Sequence, residues 1–417
     1  MDKIFEYMIY LYIIILPLTP SKFKIGQIPF NGDIILALII LGYGLKIIVD
    51  KSSRTKFMKG FKDFFTHSIG ICMALVILIM FCSVMYSMDK KMALNESARF
   101  TSYIVLFFIV KYEISSEKIL ENIIKIYFGV CLIIFSKGIL DYVTALTRVG
   151  NSEYFNQLRT ASTLENANNL GTFAIISLFP AITLFISEKR IKQKLVYAII
   201  SLAALANIVA SYSRSALLGV MLGCVLITLF YNIKFIIGFI AMGAAALIIP
   251  ATRIRILQVA DMTQNDSRIK IWKTASYMIK DHLALGVGNG NFYTLYGNYI
   301  KKHPELTNTY DTVQVFHPHN IFLKIQCELG LAGTASFVGM IISIFRNLIR
   351  YIRNEKNPLF LNFSKGFLIS ITVFMAMNLI DNFFSAPKVI AFFWIFIAIF
   401  ESLSYNRNCA EMKGELQ

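Results

Sequence analysis

Three arginines and a close pair of histidines are the residues in this 417-residue chain best suited to chemistry. Arg159 stands in NQLRTASTLENANNLG, Arg214 in ANIVASYSRSALLG and Arg268 in NDSRIKIWKTASYMIKD. His317, His319 and Asn320 follow in VFHPHNIFLKIQCELGLAG. A guanidinium fork matches the geometry of phosphate oxygens, so arginines apart from ordinary basic loops suit an anionic ligand such as a phosphate or pyrophosphate. An imidazole titrates near neutrality and can take a proton from a hydroxyl. The two histidines lack an evident third ligand nearby, so no metal site is assigned to them. Glu328 sits about half a helical turn away from the face of His319 and four residues after Lys324, a spacing that pairs it with the lysine instead.

Two neighbouring segments must position these groups. Asp266 or Ser267 is a suitable cap for a helix over 268–281. On that helix Ile271, Trp272, Ala275, Met278 and Ile279 form one apolar face, with Arg268 in its middle. Lys270, Lys273, Tyr277 and Lys280 fall on the other face. Next comes HLALGVGNGNFYTLY, with Gly286, Gly288 and Gly290 in alternation. No strand precedes it and no Lys-Ser/Thr ends it, so neither a dinucleotide fingerprint nor a P-loop is present, and a tight re-entry turn is expected. Gly330 and Gly333 are expected to permit close helix packing.

The framework holding these segments is apolar. Hydrophobic residues make up 56% of the chain and charged residues only 16%, and apolar runs recur from end to end. That composition fits a single all-α polytopic membrane domain over 1–417. The candidate spans number twelve: 4–19, 32–49, 68–87, 100–112, 120–141, 169–186, 194–211, 215–231, 233–250, 319–345, 362–382 and 388–405. The basic loops at 50–67, 187–194 and 346–357 all fall on one side of this arrangement, which the positive-inside rule makes cytoplasmic, together with both termini. Arg159, Arg214, Arg268 and His319 then face outward. A large loop, 251–318, lies on the same outer face and carries the amphipathic helix. The net charge of +16 is explained by the cytoplasmic loops, so nucleic acid is not an expected partner. The six cysteines show neither metal spacing nor a disulfide framework.

Three segments in order, SYSRSALLG, SRIKIWKTASYMIKDHLALGVGNGNF and HPHNIFLKIQCELGLAG, resemble the O-antigen polymerase/ligase superfamily of bacterial membrane proteins. The resemblance covers about 159–335. It implies a C-type glycosyltransferase fold in the cytoplasmic (inner) membrane. It implies a donor glycan on undecaprenyl pyrophosphate and an acceptor that is either another lipid-linked glycan or lipid A–core. A chain-length regulator is a further partner, and membrane lipids surround the protein. The positions that match the superfamily's functional residues are Arg214, Arg268 and His319, the catalytic group. Arg159, with His317 and Asn320, is assigned to binding pyrophosphate or glycan. No Asp-x-Asp motif appears in the large loop, in keeping with transfer that needs no metal or other cofactor, and attack opposite the leaving group inverts the anomeric carbon.

Polymerisation of lipid-linked repeat units is the first reading, and ligation to lipid A–core is the alternative within the class. A transporter or flippase is the competing reading from another class. It calls for pseudo-symmetric halves and ionisable residues at mid-membrane, and here Lys137 and Lys324 are the main residues of that kind. A non-catalytic assembly partner would tolerate loss of Arg214 and His319.

Overall fold

A computed structural model describes residues 2–20, 23–25, 28–114, 116–149, 158–234, 262–307 and 317–412, with Ile237, Arg253 and Val315. The described chain is helical apart from one two-residue antiparallel pair, Lys24–Ile25 with Ile28–Pro29. The helices are α1 (Asp2–Leu18), α2 (Gly32–Val49), α3 (Lys51–Phe64), α4 (Ser68–Ser83), α5 (Lys90–Phe108), α6 (Glu117–Val149), α7 (Ala167–Ser187), α8 (Ile191–Ser211) and α9 (Arg214–Phe230). After the large loop begins come α10 (Met262–Asp281), α11 (Phe292–Lys302), α12 (Ile321–Asn354), α13 (Pro358–Met377) and α14 (Pro387–Met412).

Eight described helices are long and apolar enough to cross a membrane, and a ninth if α3 and α4, bent by 87° at their junction, form one broken span. α9 is apolar but shorter. Its outward side chains Met221, Val225, Leu229 and Phe230 are exposed, as expected for a surface that meets lipid. The protein is therefore a multi-pass membrane protein. The expected run at 233–250 lies outside the described residues.

Several boundaries differ from the hydropathy reading, for physical reasons. The segment 88–99, expected as a loop, is helical: Asp89 caps it and α5 continues through a π turn to Glu113. The segment 50–67, also expected as a loop, forms the amphipathic helix α3, capped by the Asp50 carboxylate. α6 runs on past 141 to Val149, and α13 stops at Met377, short of 382. Hydropathy windows detect apolar content, whereas caps decide where a helix stops.

The centre of the bundle is α7 and α14. About four-fifths of each apolar stretch is buried, against a third of α2, which places α2 at the rim. Tyr127, Phe173, Phe363, Phe392 and Phe396 form a continuous aromatic cluster between α6, α7, α13 and α14. A second, smaller core forms under the large loop from Ile271, Ala275, Met278, Phe292, Tyr296 and Cys327.

The glycine-rich turn proves to be a backbone clasp. α12 is broken at Gly330, where φ is +65°. The break leaves carbonyls without helical partners, a costly state at membrane depth. The turn supplies them: Val287 N–H donates to Cys327 O at 2.8 Å and Gly288 N–H to Glu328 O at 2.9 Å. Gly288 itself has φ +98°, and a Cβ there would lie 2.0 Å from Ser87 Oγ. Glu328 adds a side-chain bond, accepting from Gly290 N–H at 2.9 Å, and lies 3.8 Å from Lys324. The clasp thus fixes the large loop against α4, α5 and the first turns of α12.

Candidate active site at one end of the bundle

The residues around His319 are held by the segment that joins α11 to α12. Asn320 is the N-cap of α12, its side-chain oxygen accepting from Phe322 N–H and Leu323 N–H. Ile321 N–H donates to Asn378 O at 2.9 Å, which ties this helix start to the end of α13. Asn378 also accepts from Phe383 N–H, shaping the α13–α14 corner. On the other flank, Trp272 of α10 donates its indole N–H to Pro318 O at 2.8 Å. His319 is left in a left-handed conformation, φ +50°, between these anchors. That is an uncommon geometry for a residue other than glycine and is sustained only because both sides are fixed.

At the centre of the site lies Asp381, in the α13–α14 corner. His319 Nδ1 is 3.2 Å from Asp381 Oδ1, and Asn382 N–H donates to the same oxygen at 2.9 Å. The second carboxylate oxygen accepts from Asn168 Nδ2 at 3.4 Å. Asn168 in turn accepts from Arg159 at 2.6 Å, and Arg159 Nε donates to Ser211 O at 2.9 Å. Burial pushes the Asp381 carboxyl up. The hydrogen bond and charge of His319, the Asn382 N–H and the Arg268 charge together hold it below the usual carboxylate range. Arg268 therefore acts on the carboxylate that holds His319. Its helix begins at Met262, so Asp266 and Ser267 lie inside α10 and do not cap it. The inward face is as the periodicity requires: Ile271, Ala275 and Met278 are buried, Trp272, Ile279 and Arg268 half-buried; on the other face Lys273, Tyr277 and Lys280 are exposed, whereas Lys270 is half-buried and donates to Thr307 O.

Arg214 opens α9 at the same end, directly after the left-handed Tyr212 and the N-cap Ser213. The Ser211 carbonyl that holds Arg159 belongs to this turn, so the Arg159 segment and the Arg214 turn are joined directly. Thr160 N–H donates to Ala210 O, and Ser162 Oγ donates to Ile134 O at 2.8 Å. The buried Lys388 of α14 donates to Thr163 O at 2.7 Å and lies 3.3 Å from Glu165. These contacts fix the stretch that carries Arg159.

His317 faces His319 edge-on, ring centroids 4.6 Å apart, and its Nδ1 accepts from His319 N–H at 3.3 Å. Burial, with the nearby His319 and Lys324 charges, pushes the His317 imidazole down to about 3 against an opposing pull from Asp381. A neutral ring with Nδ1 as acceptor suits that position. His319 differs, with 38% of its side chain exposed while Asp381 shows only 9%. With Nδ1 turned to the carboxylate, Nε2 is the nitrogen that a second molecule can reach. Among the described residues no group of three or more His, Cys, Asp or Glu side chains could hold a metal ion.

Asp381, Asn168 and Lys388 were not singled out by the sequence. Asp381 fell at the edge of an apolar run, where it read as the end of a span. The signal lay in NLIDNFF: Asn, Asp and Asn within five residues at the end of a helix, ahead of a proline.

Fold and site together define a multi-pass membrane protein with a cation-rich carboxylate–histidine centre at one end of its helices. Residues 198–338 match the family model described as O-antigen ligase. The teichuronic acid biosynthesis protein TuaE of Bacillus subtilis (strain 168) is 23% identical over 332 residues, covering 74% of this chain. This chain spans 65% of that relative's length. These findings support the O-antigen polymerase/ligase superfamily for this chain. The matched stretch holds Arg214, Arg268, His317, His319 and Asn320, while Arg159 and Asp381 lie outside it.

Proposed function

We propose that this protein is a glycosyltransferase that takes a glycan from a lipid-pyrophosphate carrier and joins it to another lipid-linked glycan, on the outer face of the cytoplasmic membrane. The observation that carries this reading is the chain of contacts Arg159–Asn168–Asp381–His319, with Asp381 also feeling the charge of Arg268. An ionised Asp381 accepts from His319 Nδ1–H and so presents the Nε2 lone pair to the acceptor hydroxyl. His319 takes the hydroxyl proton as the oxygen attacks the anomeric carbon. The bond from that carbon to the pyrophosphate oxygen breaks, its electron pair leaves with the carrier, and the configuration inverts. Arg268, Arg214 and Arg159 supply the positive charge that grows in value as the pyrophosphate departs. Asn320 serves this site as the cap that sets the start of α12, and His317 as the neutral ring that braces His319.

A second reading is ligation of the completed glycan to lipid A–core, favoured by the description of the matching family. The relative named for teichuronic acid biosynthesis favours an acceptor outside lipopolysaccharide. The two readings separate in a deletion strain complemented with wild type, Asp381→Asn or His319→Ala. With expressed but inactive variants, polymerisation predicts single repeat units on the carrier, and ligation predicts long carrier-linked chains that never reach their acceptor. Normal surface glycan from both variants overturns the catalytic assignment.

A further inference from the structure

The end of α12 remote from His319 carries a basic surface that the proposed chemistry does not use. Arg346, Arg350 and Arg353 recur at spacings of four and three, so they share one side of the helix. Arg346 and Arg350 line two spaces at once. One is a polar cavity of about 640 Å³ between α12, α14 and the α3–α4 corner. The other is a groove of about 740 Å³ on the outer surface of α12, whose remaining walls include Ile341, Ile342, Phe345 and Ile349.

The charge of the cavity is unbalanced. Its acids Asp63 and Glu401 are both engaged by Lys111, at 3.1 and 3.2 Å, and Arg407 pairs with Glu355 at 2.8 Å. Arg346 donates to Ser68 Oγ at 2.6 Å. Among the described residues, Arg346, Arg350 and Lys356 have no carboxylate partner, and Glu411 is the one acid of the lining outside the pairs above. An apolar groove that ends on guanidinium groups matches a molecule with an acyl chain and an anionic head. Free phosphate would use the arginines and leave the isoleucine wall unused. Zwitterionic lipid would use the wall and bring no net charge to the arginines.

We propose that this end of α12 is a binding site for an anionic phospholipid of the surrounding bilayer. Its acyl chain lies along Ile342, Phe345 and Ile349, and its phosphate is held by Arg346 and Arg350. The test is thermal unfolding of the purified full chain in detergent, titrated separately with phosphatidylglycerol, phosphatidylcholine and inorganic phosphate. Wild type is expected to be stabilised by phosphatidylglycerol alone. Arg346→Gln/Arg350→Gln is expected to need about tenfold more of that lipid for the same shift, a loss of about 1.4 kcal/mol. The control Lys189→Gln/Arg190→Gln, in the α7–α8 connection, is expected to respond as wild type. Arg350→Gln alone, at an exposed position, keeps the test valid if the double variant misfolds. An unchanged response in the variants, or an equal response to phosphatidylcholine, overturns the proposal, and so does a shift reproduced by inorganic phosphate, which would mark a free-anion site.

Discussion

The buried ion pairs near the remote end of α12 and the Asp381 centre treat charge in opposite ways. At the remote end the interior charges are closed in pairs: Lys46 with Glu113 at 2.5 Å, and Lys111 between Asp63 and Glu401. Each pair joins helices distant in sequence, and each partner is largely shielded from solvent. At the near end one carboxylate, Asp381, faces His319, the Asn168–Arg159 chain and the charge of Arg268. Closed pairs lock helices together. The Asp381 centre instead ties one carboxylate to a half-exposed histidine. The distinction separates structural from functional ionisable groups within one membrane protein, where a charge taken out of water is costly.

Among the charged groups of this contrast other than the Asp381–His319 pair, the largest effect is expected at Arg268. Arg268→Ala should lower transfer by about 10²-fold in a purified assay, and Arg268→Lys should restore only part of it, because an ammonium lacks the fork. Full rescue by lysine would mean that Arg268 acts as a mere point charge. Next comes Lys111→Met, which removes the cation shared by two part-buried carboxylates. It should cost about 3 kcal/mol in unfolding free energy, read by denaturant titration in detergent, and leave activity per folded molecule unchanged.

A smaller effect concerns pH. His317 has its proton affinity depressed in the folded protein, so between about 6.5 and about 3 the unfolded chain binds more protons than the folded one. Stability should therefore fall as the solution is acidified through that window, and His317→Gln should flatten the slope. An unaltered slope in the variant would assign the acid sensitivity to other groups. The smallest effect is at the exposed pair Lys137–Asp141 on α6, where Lys137→Ala should change stability by less than about 0.5 kcal/mol.

The arginine and histidine motifs were legible because their residue types are rare in an apolar chain and stood in connections between apolar runs. The inward face of α10 was legible from periodicity, and the Lys324–Glu328 pairing from spacing. Asp381 was hidden by the method that found the spans. A hydropathy window absorbs one acid into twenty apolar residues, and nothing local tells it that Asn378 turns the chain before Asp381. The start of the span expected at 100–112 was set too late for the same reason. Lys90, Lys91 and Glu96 looked like a loop, yet Asp89 caps a helix that carries them into α5. Partners such as Asn168, more than 200 residues from Asp381 along the chain, become neighbours only through the packing of α7 against α13 and α14.

The central claim is that Asp381 and His319 act as one unit on the acceptor, while the arginines hold the donor. The most direct test is a double-variant comparison on purified protein, with transfer rate and donor binding measured for His319→Ala, Asp381→Asn and the pair. The account predicts that His319→Ala lowers transfer by about 10² to 10⁴-fold with donor affinity retained. It further predicts that adding Asp381→Asn to His319→Ala costs little more, because the two residues share one task. Independent, multiplying losses, or transfer that survives His319→Ala, would contradict it.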